Sequence, residues 1–224
     1  MFWIVFIFGF LILTAILFAS LNICAHIFIK SKCKIQNTNS VALSFDDGPH
    51  PIYTPQLLDV LQALNIKASF FVIGKNAEQY PDIIQRIVAE GHTLGHHSYY
   101  HHKKWGTLST TKVITEIQKT IDVLEQITGK KSIYFRSPFG LTNPNIAKAI
   151  RTLNLSSIAW SLRSYDTTYT PQMVVNKINK KLKAKDIVLM HDHLKSTPQT
   201  VQQIVKEGLK NGLKFVNLEE ATLL

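Results

Sequence analysis

The chain has 224 residues, of which 46% are hydrophobic, 18% are charged, 10 are glycine and 8 are proline. This composition excludes a disordered or collagen-like protein, because the apolar fraction is too high for the first and the glycine content too low for the second. The net charge of +10 favours anionic partners such as phospholipid head groups, wall polymers or nucleic acid. Charge alone does not decide among them.

An apolar segment opens the chain, since the 28 residues Phe2–Ile29 contain no Lys, Arg, Asp or Glu. As a helix the segment would measure about 42 Å, more than the ~30 Å hydrocarbon core of a bilayer. A cleaved secretory signal is the alternative, but there is neither a basic start nor a clear A-x-A-like cleavage site. The sequence predicts one N-terminal transmembrane helix, with residues 1–34 forming a membrane anchor and its basic flank.

The orientation of this helix is not fixed by charge. Lys30, Lys32 and Lys34 follow it, and the positive-inside bias would place the rest of the chain in the cytoplasm, although large domains translocate largely regardless of nearby charge. Cys24 and Cys33 lie in or beside the anchor and no cysteine follows, so no internal disulfide framework reports the redox compartment.

The remaining residues, 35–224, fit one domain without an internal repeat or linker. Short apolar and β-branched runs alternate with amphipathic stretches. The predicted strands are Val41–Phe45, Ser69–Ile73, Ile133–Phe135, Ser157–Trp160 and Ile187–Met190. The predicted helices contain Leu57–Leu64, Ile83–Val88 and Val113–Leu124. This alternation predicts an α/β fold with a mainly parallel sheet, open or closed into a barrel, and reactive groups at the C-terminal strand ends.

Two polar clusters have the composition of a metal site. Asp46 and Asp47 follow the first strand, and a bend at Gly48-Pro49 would let both reach one cavity, one as a metal ligand and one as a base. His97 and His101 have H-x3-H spacing, and two histidines with one carboxylate suit zinc and leave a coordination position open. A solvated turn and a His-rich surface loop are the alternatives.

Two further clusters follow later strands. Arg136, after Ile133–Phe135, could hold a buried carboxylate, and the loop Pro138-Phe139-Gly140 could aim a backbone N–H at an oxyanion. His191 ends the last predicted strand, where its ordinary pKa of ~6.5 suits a general acid. Asp166 could keep that imidazole charged. A surface arginine and a core histidine are the alternatives.

Together these motifs resemble the polysaccharide deacetylase family (NodB homology domain, carbohydrate esterase family 4). The resemblance runs from Val41 to the C-terminus and covers five motifs in order: S-F-D-D-G-P, H-S-Y-Y-H, R-S-P-F-G, a Trp-to-Asp stretch and L-M-H. It implies an irregular (β/α) barrel related to the TIM barrel. It also implies a divalent metal, most often Zn²⁺, and hydrolysis of N-acetyl groups on amino sugars of a polysaccharide such as peptidoglycan or chitin-like oligomers.

The resemblance also implies roles for single residues. Asp46 would be the catalytic base, oriented by Arg136, and His191 the general acid, charged by Asp166. The implied metal ligands are Asp47, His97 and His101. The implied substrate-binding residues are Pro138, Phe139, Gly140 and Leu189, the last in a pocket for the acetyl methyl group.

Four positions depart from the family pattern, namely His96, His102, Arg163 and Thr167. The two histidines could compete for metal or face water, and the other two positions bear on substrate contacts and on a wall of the acetyl pocket.

Other functions stay open. The domain could be a catalytically silent wall-binding module, or a deacylase of a lipid-linked amino sugar. Nucleic acid is not expected as a partner, because the basic residues are spread along helices without a recognised binding motif. The sequence thus predicts a membrane-anchored deacetylase with its catalytic domain on the cell-envelope side and an oligomeric state that it does not specify.

Overall fold

The structure is a computed structural model that describes residues 2–221. Residue 1 of the predicted segment 1–34 and residues 222–224 of the predicted segment 35–224 lie outside the described residues. The division at residue 35 stays a prediction.

Among residues 2–221, eight parallel strands form one curled sheet. In chain order they are β1 (Ser40–Asp46), β2 (Ser69–Val72), β3 (Thr93–His96), β4 (Tyr134–Phe135), β5 (Ser156–Ser157), β6 (Leu162–Arg163), β7 (Ile187–His191) and β8 (Lys214–Val216). Their spatial order is β5-β4-β3-β2-β1-β7-β6, and β8 pairs with the start of β1. This curled half-barrel confirms the predicted α/β class with a parallel sheet.

The N-terminal helix α1 (Phe2–Leu21) precedes the first strand. Helices that connect the later strands and cover one face of the sheet are α2 (Tyr53–Ala63), α3 (Gly74–Gln79), α4 (Pro81–Ala89), α5 (Thr110–Thr128), α6 (Pro144–Thr152), α7 (Pro171–Lys181) and α8 (Thr197–Lys210). The Ser109 side chain caps the start of α5, and Gly129 ends it with φ of 68°, which glycine adopts at little cost. The main core lies between the sheet and α2, α4, α7 and α8.

The five predicted strands are found, but three others were missed. β3 contains Gly95 and His96, β6 has only two residues, and β8 follows a turn at Gly212, so none shows a β-branched run. The fourth predicted strand is shorter than expected. It ends at Ser157, and Ile158 then pairs with Lys32 from the N-terminal segment.

The N-terminal segment differs from the prediction. The helix ends at Leu21 rather than Ile29, because Asn22 leaves the helical conformation and Ile23 and Ile29 are buried against the domain. Within residues 2–221, no helix has both the length and the apolar character required to cross a bilayer. The prediction of a transmembrane helix is therefore not supported.

A disulfide bond joins Cys24 to Cys33, a pairing that the sequence reasoning did not predict. The segment between the two cysteines is fixed at its end by Lys32, which exchanges backbone hydrogen bonds with Ser157 and Ala159. The bond thus closes a short loop that is part of the folded domain.

We expect reduction of this disulfide to lower the free energy of unfolding by about 2–3 kcal/mol, since a cross-link over a loop of this length removes conformations mainly from the unfolded chain. Thermal unfolding of the full chain with and without reductant would measure the change. A Cys24→Ser/Cys33→Ser variant that does not respond to reductant is the control. The expectation would be contradicted if reductant left the melting temperature of the wild-type chain unchanged and if the double variant melted at the same temperature as the wild-type chain.

Candidate active site

The first functional group lies at the end of β1, the most extensively paired strand. Side chains of a strand alternate between the two faces of its sheet. Val41, Leu43 and Phe45 pack with the helices, whereas Ser44 and Asp46 lie on the opposite, concave face. β2 and β7 flank Asp46, and only 3% of the residue is exposed. The sheet thus holds this carboxylate in a buried and well-defined position.

Asp47 leaves the strand and turns its carboxylate toward the same cleft. Its φ is 74°, in the left-handed region that few non-glycine residues occupy. The Asn76 side chain supports the turn by donating to the Asp47 carbonyl oxygen at 3.0 Å. Both aspartates line one cleft, as expected. The bend that allows this begins at Asp47, one residue before Gly48.

Two histidines from the loop after β3 approach Asp47. The Nε2 atoms of His97 and His101 lie 3.6 and 3.5 Å from Asp47 Oδ1. The three potential ligand atoms all lie within 4.8 Å of one another. The loop turns back because His101 has a φ of 53° and donates its backbone N–H to Ser98 Oγ at 3.0 Å. The structure thus brings together the three predicted metal ligands.

These residues fit a divalent cation. Asp47 Oδ1 is buried and has no hydrogen-bond partner among the described residues, as expected of an oxygen that accepts a cation. His97 Nδ1 lies 2.8 Å from the carbonyl oxygen of Arg136, so the proton belongs on Nδ1 and Nε2 is free to bind metal. Burial opposes ionisation of Asp47, but the neighbouring histidines outweigh it and lower the pKa of the carboxyl group.

Arg136 is completely buried and fixes the orientation of Asp46. Its Nη1 donates to Asp46 Oδ1 at 2.7 Å and to Ser44 Oγ at 2.9 Å. Its other nitrogens donate to the carbonyl oxygens of Ile158 and Ala159. A buried cation requires this kind of compensation. One oxygen of Asp46 is therefore held by the arginine, and Oδ2 is left for the cleft.

His191, at the end of β7, forms a second charged pair. Its Nδ1 lies 2.8 Å from Asp166 Oδ1, and its backbone N–H donates to Asp166 Oδ2 at 2.7 Å. Burial alone would lower the pKa of His191, but the hydrogen bond and charge of Asp166 outweigh burial and raise the pKa to about 9. His191 Nε2 faces the potential metal ligands and lies 3.9 Å from Asp47 Oδ2. Near neutral pH this imidazole is protonated, as a general acid must be.

Apolar residues complete a small cleft of about 190 Å³. Of the four predicted substrate-binding residues, Leu189, Phe139 and Gly140 line it, whereas Pro138 is buried and does not. Gly140 has a φ of 67°, and a Cβ atom there would lie 2.7 Å from Trp160 Cη2. Only glycine lets this loop approach the indole so closely.

Sequence reasoning missed two residues of the site. Trp160 lines the cleft, although the sequence places it only at the end of a predicted strand and at the start of the Trp-to-Asp stretch; its position before the Asp166 loop is the signal for a role in the site. His193 Nδ1 lies 3.9 Å from Asp47 Oδ2, and its place two residues after His191 was a signal that was not used. Arg163 and Thr167 also line the cleft.

The two additional histidines near the metal ligands do not join them. His96 is fully buried with Nε2 3.3 Å from the Ser132 carbonyl oxygen, and burial lowers its pKa to about 4. His102 is exposed and lies 3.4 Å from Glu116. Neither belongs to the group of potential ligands within the described part of the chain.

Known proteins are similar to this chain in sequence and fold. A family model described as polysaccharide deacetylase matches residues 34–158. The chain is 31% identical to a peptidoglycan-N-acetylglucosamine deacetylase of Bacillus cereus over 187 residues, covering 81% of this chain and 68% of that protein. The relatives differ in length, since the chain covers 88% of a second peptidoglycan-N-acetylglucosamine deacetylase of Bacillus cereus but 39% of a peptidoglycan-N-acetylmuramic acid deacetylase of Bacillus subtilis.

Solved structures are similar over most of the chain. One is a peptidoglycan N-acetylglucosamine deacetylase bound to an N-hydroxybenzamide, with a TM-score of 0.80, 29% identity, and coverage of 85% of this chain and 91% of that one. Another is a family pseudoenzyme from Bacillus anthracis, with a TM-score of 0.77, 25% identity, and coverage of 84% and 67%. The fold alone therefore does not establish catalysis.

Proposed function

The chain belongs to the polysaccharide deacetylase family, and on that premise we propose that it is a hydrolase that removes N-acetyl groups from the amino sugars of peptidoglycan. The family match and the relatives confirm the family and the class of enzyme predicted from the motifs. Divalent-metal dependence is general for this family. We also propose that the curled sheet corresponds to the irregular (β/α) barrel that the family implies.

One observation carries this proposal. Asp46, held by Arg136, and His191, held by Asp166, both face a cleft that also contains Asp47, His97 and His101. A silent binding module has no need for an oriented carboxylate, a charged imidazole and a set of metal ligands in one cleft. Their arrangement supports hydrolysis of an amide bound between the two proton-transfer groups.

The residues of the chain divide the reaction between them. Asp47, His97 and His101 would hold a divalent ion, and two histidines with one carboxylate favour zinc. When bound, the ion would polarise the amide carbonyl and lower the pKa of a water molecule. Asp46 accepts a proton from the attacking water, whose oxygen bonds to the carbonyl carbon. His191 donates a proton to the amine nitrogen as the carbon–nitrogen bond breaks. Acetate and a free amino sugar result.

The loop after β4 supplies a candidate donor to the developing oxyanion. Pro138 has no N–H, and the Gly140 N–H already donates to the Ser137 carbonyl oxygen at 2.9 Å. We therefore assign the role to the Phe139 backbone N–H, which is the remaining amide of the predicted loop. Leu189 and Trp160 would enclose the acetyl methyl group in the cleft.

We propose that the enzyme works on the cell-envelope side. Relatives carry the name of peptidoglycan deacetylases, and peptidoglycan lies outside the cytoplasm. The Cys24–Cys33 bond supports the same side, because disulfides persist in oxidising compartments and are rare in the cytosol. A reporter fused to the C-terminus and active only in the cytoplasm would contradict this location.

Acetate release by the full chain tests the function. We expect metal-dependent release from peptidoglycan that stops with a chelator and returns with added zinc. His97→Ala should lose bound metal, measured as zinc per chain, together with activity, whereas His102→Ala should keep both. Zinc bound at one equivalent in a folded chain without acetate release from peptidoglycan or N-acetylglucosamine oligomers would overturn the proposal in favour of a lipid-linked substrate or a silent module.

A further inference from the structure

A second and larger groove adjoins the catalytic cleft. It measures about 840 Å³, is open to solvent and shares Trp160 and Arg163 with the cleft. One wall is the N-terminal segment that contains the Cys24–Cys33 disulfide. The other wall comes from β6, the loop that follows it, and α7. A chain molecule with one sugar in the cleft can thus continue into this groove.

The groove is basic and its charges are unbalanced. Lys34, Arg163, Lys177 and Lys181 line it, and no Asp or Glu is among the lining residues. The ion pairs within 4 Å among the described residues involve none of these four side chains. The pKa of Lys177 is lowered, first by its partial burial and then by the charges of Lys181 and Arg163, as expected for like charges that line one groove.

Aromatic rings hold part of this charge in place. Lys177 Nζ lies 3.6 Å from the centre of the Tyr165 ring, and the Arg163 guanidinium carbon lies 5.1 Å from the same ring centre. Tyr165 also stacks on Tyr169 at 5.5 Å. Such contacts orient a cation without neutralising it. The groove therefore combines positioned positive charge with exposed aromatic surface.

An anionic ligand would relieve the repulsion among these cations. A neutral N-acetylglucosamine oligomer offers these cations no counter-charge, whereas a peptidoglycan strand carries carboxylates on its peptide stems, or on the lactyl ether of any sugar that has no stem. Arginine and lysine bind carboxylates through charge-assisted hydrogen bonds. A phosphate on a lipid-linked sugar has similar chemistry, but the position beside the cleft along the open groove fits a neighbouring sugar of the same strand.

We propose that the groove formed by Lys34, Arg163, Lys177 and Lys181 binds carboxylates of the peptidoglycan strand beside the sugar being deacetylated. This inference rests on the proposed function, because it makes the groove a specificity site for that reaction. It predicts that the enzyme prefers carboxylate-bearing strands to neutral oligomers and that salt weakens the preference.

The test is the ratio of kcat/KM for soluble carboxylate-bearing peptidoglycan fragments to kcat/KM for neutral N-acetylglucosamine oligomers. We expect Lys177→Gln/Lys181→Gln to lower this ratio about 10-fold, mainly through KM, which corresponds to about 1.4 kcal/mol. Lys180→Gln is the matched control, because this exposed lysine on the same helix does not line the groove. Lys180→Gln should leave the ratio unchanged.

An unchanged ratio in the double variant would overturn the inference, whether neither substrate loses efficiency, both lose it equally, or the loss is confined to a pyrophosphate-linked lipid substrate. Equilibrium binding of the same fragments to the full chain, measured by calorimetry, separates this inference from the proposed function. Tight, salt-sensitive binding that the double variant weakens would support the groove even without turnover. Absence of such binding would refute it.

Discussion

Replacing Asp46 with asparagine is expected to lower kcat by about 10³-fold, because the amide cannot accept the proton of the attacking water. The substitution keeps the shape of the side chain and an oxygen that can accept the hydrogen bond from Arg136 Nη1, now 2.7 Å from Asp46 Oδ1. Asp46 is not one of the three potential metal ligands. Bound zinc per chain should therefore stay near the wild-type value while acetate release falls.

The stability of this variant needs a separate measurement. Arg136 is fully buried, and Asp46 is its only carboxylate partner within 4 Å among residues 2–221. Loss of that negative charge leaves a buried cation without a counter-charge, a change that can cost about 3–5 kcal/mol. Thermal unfolding would show whether the chain remains folded at the assay temperature. Asp82→Asn, an exposed position on α4, is the control. Near-normal turnover by folded Asp46→Asn would show that another group is the base.

Replacing Asp166 with asparagine is expected to move the alkaline limit of kcat/KM to lower pH. Asp166 is the main cause of the His191 pKa of about 9, with smaller contributions from Asp46 and Asp47. The ring of His193, a titratable group just after the same strand, has its centre 5.7 Å from the centre of the His191 ring. Without the Asp166 charge, the pKa of His191 falls toward its ordinary value of ~6.5, and activity at pH 8 drops about 30-fold because little imidazolium remains.

The same shift affects stability with a defined sign. In the folded chain the pKa of His191 is raised to about 9, whereas in the unfolded chain it has its ordinary value of ~6.5. The contribution of His191 to the free energy of unfolding is therefore complete below pH ~6.5 and is lost as the pH rises through 9. Asp166→Asn should remove that dependence. The pH profiles of kcat/KM and of melting temperature measure both effects, with exposed Asp122→Asn as the control. An alkaline limit that stays near pH 9 in Asp166→Asn would exclude His191 as the group that sets it.

The sequence was sufficient to predict the elements that carry the chemistry. β1 and β7 are long apolar runs, and a parallel sheet gathers the residues that follow such strands at one edge. Asp46, Asp47 and His191 could therefore be placed together. The H-x3-H spacing likewise identified His97 and His101, although a loop with positive φ at His101, rather than a helix, brings them together.

Other features depend on contacts that no local pattern reports. β6 and β8 have two and three residues and exist because longer neighbours offer them hydrogen bonds. The segment that contains Ile23 and Ile29 resembles the end of an apolar helix in sequence, yet these residues are buried against the domain. Trp160 enters the cleft because Gly140 leaves room for its ring. Each outcome depends on residues far apart in the chain.

The central position of β1 has a consequence for the dynamics of the site. This strand pairs with β2, β7 and β8, and all seven of its residues are buried. Its amide hydrogens should exchange with solvent only when the whole domain unfolds. Asp46, the proposed base, thus belongs to the last part of the molecule to open, whereas His101 lies in the loop after β3. The proposed base therefore keeps its position for as long as the domain stays folded.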